Sequence, residues 1–252
     1  GCAMLAILPL WVWIFGAVIV TSAISGVFGM AGGLILMLIL AQFVAVAPAM
    51  VLHGVTQFVS NGWRAVLWRR WIVWRIVGLY ALGAAPAILL PVLVAYVPDK
   101  ATMLILLGTV PYAALALPEA AKLDAARPAH AVACGFFVAG TQLLAGVAGP
   151  LLDVFFVRSA LDRRAVVATK ATTQAISHVA KVGYYGALLA GTAMPGPAVF
   201  GAAVLAALIG TTLAGPLLEK LSNAQFRRWT RAIVLAVGGV SILQGVVLLA
   251  AP

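Results

Sequence analysis

One hydrophilic pattern occurs twice in this chain, and it limits the possible folds more than any other feature. His53, Thr56, Gln57, Ser60, Asn61 and Arg64 are spaced as one stripe of an α-helix. A shift of 117 positions gives Lys170, Thr173, Gln174, Ser177, His178 and Lys181. Thr, Gln and Ser recur identically, and the other three positions stay polar or basic. A second motif repeats in the same register: Gly29-Met30-Ala31-Gly32-Gly33-Leu34 aligns with Gly146-Val147-Ala148-Gly149-Pro150-Leu151. Two motifs at one offset, without a gap, indicate a duplicated half-chain.

The stripes lie in apolar surroundings, so they need a protein interior or a water-filled cavity. Of the 252 residues, 64% are hydrophobic and 9% charged, whereas a soluble domain has about 45–50% and about 25%. The chain therefore reads as a polytopic membrane protein. No strand-like alternation between polar turns appears, which leaves helices of roughly 20 residues to span the lipid. Apolar runs fall near 5–28, 33–47, 49–68, 72–97 and 101–118, then near 130–146, 150–157, 165–190, 196–219 and 232–250. The expected fold is all-α, with two repeats of about five apolar segments each (4–118 and 130–250) joined by a polar linker at 119–129.

Charge placement sets the relative orientation of the halves. The link between the third and fourth segments carries Arg64, Arg69, Arg70 and Arg75, while its counterpart near 190–197 is uncharged. Conversely, 41–48 is uncharged, and its counterpart holds Arg158, Asp162, Arg163 and Arg164. Pro98-Asp99-Lys100 against Arg227, Arg228 and Arg231 splits the same way. By the positive-inside rule, equivalent loops lie on opposite sides, so the repeats are inverted and both termini face outward. Inverted repeats place a transporter's site near the membrane midplane. The net charge of +10 is thus a matter of topology and lipid headgroups. No aromatic-interleaved basic surface suggests nucleic acid, and Trp63, Trp68, Trp71 and Trp74 read as interfacial anchors.

The second and seventh segments are too short to span, at about 22 Å and about 12 Å against a core of about 30 Å. Their glycine motifs are expected inside the membrane, as turns of re-entrant hairpins. A helix starting near Gly33 or Pro150 would aim its unpaired N–H groups and positive dipole end inward. Gly29, Gly32, Gly33, Gly146 and Gly149 would then form a backbone cradle for an anion. The competing explanation is helix packing through small residues.

Each ionisable residue also has two readings. Ser, Thr, Asn and Gln are ordinary interhelical hydrogen-bonding residues in membranes. His53, Lys170, His178 and Lys181 cost roughly 2.5–3.5 kcal/mol each in a bilayer and normally line a pathway. Lys181 is either a ligand or the partner of Asp153. Asp153 itself is a dipole-complementing residue, a proton carrier or a salt-bridge gate, and Arg64 is a gate or a snorkelling cation. No nucleophile elbow, H-E-x-x-H or carboxylate pair is present. Cys2 and Cys134 are too few for a metal site. No enzyme, cofactor or metal is expected.

The run Ser25-Gly26-Val27-Phe28-Gly29-Met30-Ala31-Gly32-Gly33, then Pro48, then a Thr/Ser-bearing helix ending in Arg64 and Arg69-Arg70, with the whole repeated after a central linker, resembles the TauE/SafE (sulfite exporter) family of bacterial inner-membrane transporters. The resemblance implies movement of small sulfur-containing or carboxylate anions. Ala31 and Pro150 depart from the family's usual glycine run. The expected function is a secondary transporter working by alternating access, with an anion channel of the same lining as the alternative.

Overall fold

The computed structural model describes residues 10–28, 30–117, 123–157, 159–189, 195–219 and 223–250, and among them every regular element is helical. The first half contains α1 (Leu10–Phe28), α2 (Ala31–Phe43), α3 (Val46–Leu67), α4 (Trp74–Val94) and α5 (Lys100–Ala116). The second contains α6 (Pro128–Ala145), α7 (Gly149–Phe156), α8 (Arg163–Leu188), α9 (Pro197–Glu219) and α10 (Asn223–Ala250). A single 3-10 turn at Arg69–Trp71 joins α3 to α4. Gly29, Arg158 and the linker residues Glu119 and Lys122 lie outside the described residues.

Local chemistry fixes the helix ends. Asp99 caps α5 by accepting from the Thr102 N–H at 2.9 Å, and Asp162 caps α8 by accepting from the Arg164 N–H at 2.8 Å. The Thr102 hydroxyl and N–H hold the exposed Asp99 carboxyl below the usual carboxylate range. Pro128 opens α6, where its missing N–H leaves no bond unmade. Gly146 ends that helix at φ 79°, a left-handed conformation suited to glycine.

Five helices (α1, α4, α6, α9 and α10) are long and apolar enough to cross a membrane. α3 and α8, with 22 and 26 residues, are long enough but not apolar enough, because they carry the polar stripes. Both are wrapped by the others: Thr56, Ser60, Thr173 and Lys181 are completely buried. The 13-residue α2 and eight-residue α7 reach only about 20 Å and about 12 Å. α2 begins at Ala31, two residues before the position expected from sequence, and α7 begins at Gly149.

The principal pairings are α1 with α9, α4 with α6, α3 with α8 and α5 with α10. Exchanging each helix for the one five places later maps this set onto itself. Small residues bring the axes together, as expected where lipid supplies no hydrophobic drive between helices. A Cβ on Gly83 would overlap the Val132 carbonyl, and one on Gly135 the Tyr80 carbonyl, at the α4–α6 seam. The two self-exchanging pairs run antiparallel. Near the start of α3, Gly54 faces Val182 late in α8, while Val73, just beyond α3, donates to Thr169 early in α8 at 3.0 Å. On α5, Ala101 lies against Gly245 of α10 and Tyr112 donates to the Leu235 carbonyl at 2.9 Å.

Candidate functional site

A cavity of about 1180 Å³ lies between the polar stripes. It opens where Leu67, Trp68, Asp162, Arg163 and Arg164 are exposed, at the end of α3 and the start of α8. Its inner end reaches Met30 and Gly33 at the tip of α2, Gly149 at the tip of α7, and the rings of His53 and His178. The two tips touch: a Cβ built on Gly149 would overlap the Met30 side chain. Both short helices thus direct their unpaired first-turn N–H groups toward one region.

The structure divides the sequence-predicted residues into two sets. His53, Gln57, Asn61, Arg64, Lys170, Gln174, His178, Gly33 and Gly149 line the cavity. Thr56, Ser60, Thr173, Ser177, Lys181, Gly32 and Gly146 do not. Thr56 donates to the Leu52 carbonyl at 2.8 Å and Thr173 to the Lys170 carbonyl at 2.9 Å, each within its own helix. Ser60 bonds Thr211 on α9 at 2.7 Å, and Ser177 bonds Tyr80 on α4 at 2.6 Å. Gly32 packs against α1, where a Cβ would overlap the Thr21 carbonyl.

The tethers follow the 117-residue register. His53 Nε2 lies 3.0 Å from the Gly33 carbonyl of α2, and its counterpart Lys170 is ion-paired with Asp153 of α7. Each stripe therefore begins by holding the short helix of its own half. Arg64 donates to the Ser25 carbonyl of α1 at 3.3 Å, and its counterpart Lys181 donates to the Gly146 carbonyl at the end of α6 at 2.8 Å. Asp153 pairs with Lys170, not with Lys181. The short turn between α7 and α8 puts the first part of α8 beside α7, and Lys181 lies eleven residues, about 16 Å, farther along.

Lys181 is wholly buried in the wall and also reaches His53 Nδ1 at 2.7 Å, which joins the halves across the α3–α8 interface. An ammonium donating there requires His53 to carry its hydrogen on Nε2, facing the Gly33 carbonyl. His178 accepts from Gln142 Nε2 at 2.8 Å, while Gln142 Oε1 accepts from the Ala148 N–H at 3.2 Å. The His53 and His178 ring centroids are 5.6 Å apart.

Gln57, Gln174 and Ser25 line the cavity, and Gln57 Nε2, Gln174 Nε2 and Ser25 Oγ are buried with no hydrogen-bond partner among the described residues. Such a group costs about 1–3 kcal/mol if left unsatisfied. Gln57 and Gln174 are equivalents in the repeat, so both halves present the same unused donor. The charge around them favours an anion: Arg64, Arg163, Arg164 and Lys170 line the space, against Asp162 on the lining and Asp153 paired to Lys170.

Ser25 and Gln142 were not singled out by the stripe, yet they are themselves equivalents at the 117-residue offset, so extending the register would have found them. Among the described residues no group of three His, Cys, Asp or Glu side chains could hold a metal. The family model described as sulfite exporter TauE/SafE matches residues 14–241. No curated protein and no solved structure matches the chain.

Proposed function

The chain belongs to the TauE/SafE sulfite exporter family, whose members are membrane transporters and not enzymes, and from that premise we propose that it is a secondary carrier of a small sulfur-containing oxyanion. The observation that carries this reading is the matched pair of unpartnered amides, Gln57 Nε2 and Gln174 Nε2, in a cation-lined cavity. Sulfonate and sulfite oxygens accept several hydrogen bonds at once and would satisfy both amides with Ser25. The tips of α2 and α7 add dipole and N–H groups at the inner end. His53, Asn61 and His178 complete the lining.

The working unit is a pair of inverted repeats, 4–118 and 130–250 joined by 119–129. The exchange-symmetric pairings and the antiparallel courses of α3 and α8 and of α5 and α10 support it. The cavity opens on the arginine-rich face, and the positive-inside rule, which assigns that face to the cytoplasm, supports an inward-open reading in a bacterial inner membrane. Alternating access follows when one repeat rocks against the other. A carrier is favoured over a channel by the hydrogen-bonded cluster in which buried Lys181 and the Gly146 carbonyl close the space behind the His53 ring at the inner end.

The test is uptake of labelled sulfite, methanesulfonate, thiosulfate and dicarboxylates into proteoliposomes. Saturable uptake of a sulfur oxyanion that weakens in both Gln57→Ala and Gln174→Ala supports the carrier. Conductance in a planar bilayer far above carrier turnover would replace it with a channel. Uptake of none of these anions would overturn the reading.

A further inference from the structure

Lys181 is completely buried, and its two recorded partners, the His53 ring and the Gly146 carbonyl, are neutral. Among the described residues no carboxylate is paired with it. The nearest acid expected from sequence, Asp153, is taken by Lys170. The other groups around the cluster offer no countercharge either. His178 on α8 is held by Gln142 of α6, Tyr185 donates to the Leu143 carbonyl, Tyr80 of α4 bonds Ser177, and α2 presents the Gly33 carbonyl. Arg64 and Lys170 add positive potential from the cavity side. A buried ammonium in this setting is costly unless an anion is close.

Resting on the carrier reading above, we propose that the Lys181–His53 pair is a proton-binding site, loaded when an anion occupies the neighbouring cavity and emptied when the anion leaves. The protein would thereby move one proton with each anion. Loading forms an N–H bond at Lys181 Nζ while an O–H bond of a hydronium ion in the cavity breaks, and unloading reverses both. The anion is the missing countercharge: its arrival beside His53 and His178 stabilises the ammonium behind them. The pair joins α3 to α8, one helix from each half, so relative movement of the halves separates it and exposes Lys181 to water. Neutral alternatives would need no cation here, since an aliphatic side chain fills the same space without desolvating a charge. For a monovalent anion the cycle is electroneutral and insensitive to membrane potential.

The experiment uses the purified full chain in proteoliposomes with an internal pH dye, and whichever of sulfite, methanesulfonate or thiosulfate exchanges without a gradient. Proton counts are corrected for the anion's own titration. Expected is one proton entering per anion, and about tenfold accumulation per unit of pH gradient, unchanged by a potassium-diffusion potential when the anion is monovalent. Lys181→Met should abolish the gradient-driven accumulation, with the ratio of protons to anions falling toward zero whatever the residual rate. Should that variant not fold, proton uptake by the wild-type protein on anion binding in weakly buffered detergent decides the matter. Anion exchange with no accompanying proton overturns this proposal and leaves the carrier standing. Absence of exchange for all three anions overturns both.

Discussion

The guanidinium of Arg164 lies over the ring of Trp71, 5.1 Å from its centroid. The contact joins the start of α8 to the turn after α3, two loops that are not equivalents in the repeat. Such a contact supports the proposed inversion of the halves, since halves inserted the same way up would place Trp71 on one face with the loop after α8. Cation–π contacts at exposed positions are worth about 0.5–1 kcal/mol, so this one does not hold the fold together. Its value is topological: both arginine-rich loops meet at the cavity mouth, where their charge attracts an incoming anion.

The two glutamines should give a signature of opposite signs. Gln57→Met or Gln174→Met removes a buried donor with no partner among the described residues, so the ligand-free protein should keep or gain thermal stability. Anion affinity should fall, because a hydrogen bond to a charged group is worth about 1.5–3 kcal/mol, tenfold or more. Thermal unfolding with and without anion measures both. A parallel loss of stability and affinity would mean the amides are structural.

Asp153 and Lys170 form a partly exposed pair, with side chains 43% and 22% accessible. Asp153→Asn should therefore change stability by about 1 kcal/mol or less. It frees the Lys170 charge on the cavity wall, so the KM for anion uptake should drop, most strongly at low salt. A carboxylate that carried the coupled proton would behave differently: its amide variant would lose pH-driven accumulation. Uptake at several salt concentrations distinguishes the two.

Glycine spacing alone does not tell a cradle from a packing face, and the structure separates them. A Cβ at Gly32 would overlap the Thr21 carbonyl, a backbone atom that cannot step aside, whereas one at Gly62 meets nothing within 4 Å. Gly32→Ala should cost about 1–3 kcal/mol or more, with α1 and α2 forced apart. Gly62→Ala, in the interior of α3, should be neutral or stabilise by about 0.4–1 kcal/mol. Thermal unfolding of both variants in detergent provides the comparison.

The proposed duplication rests on identity at a fixed offset, which can be read in the letters themselves. The helical character and the short second and seventh segments were legible in the lengths and composition of the apolar runs. What each stripe residue touches was not. A stripe spans about 100° of helix surface, wide enough to face a cavity and a neighbouring helix together. Gln57 turned to the cavity, while Ser60, one turn on, turned to Thr211. The threonines had a third option, bonding back to their own helix, and took it. Which option wins depends on where α4 and α9 pack, and that is decided by small-residue contacts such as Gly83 with Val132 and Gly210 with Ile19. No spacing rule within α3 or α8 contains that information.

Access to the cavity gives the most direct test of the mechanism. Val167 of α8 lines the open space, while Met37 of α2 is completely buried beyond the inner end, where its sulfur lies 3.1 Å from a Cβ built on Gly146. In a background with Cys2 and Cys134 replaced, Val167→Cys should react with a membrane-impermeant thiol reagent from the face carrying Arg69, Arg70, Arg163 and Arg164. Met37→Cys should stay unreacted from that face. Saturating anion should slow Val167→Cys labelling, since reagent and substrate share one cavity. During turnover, alternating access adds a further expectation: Met37→Cys becomes reactive from the opposite face, at a rate that follows transport. A channel gives another pattern, with Val167→Cys open to both faces at once and indifferent to turnover. Labelling of sided vesicles, with and without anion, therefore reads out whether the barrier of Lys181, His53 and Gly146 is a permanent wall, a gate that moves or a gap.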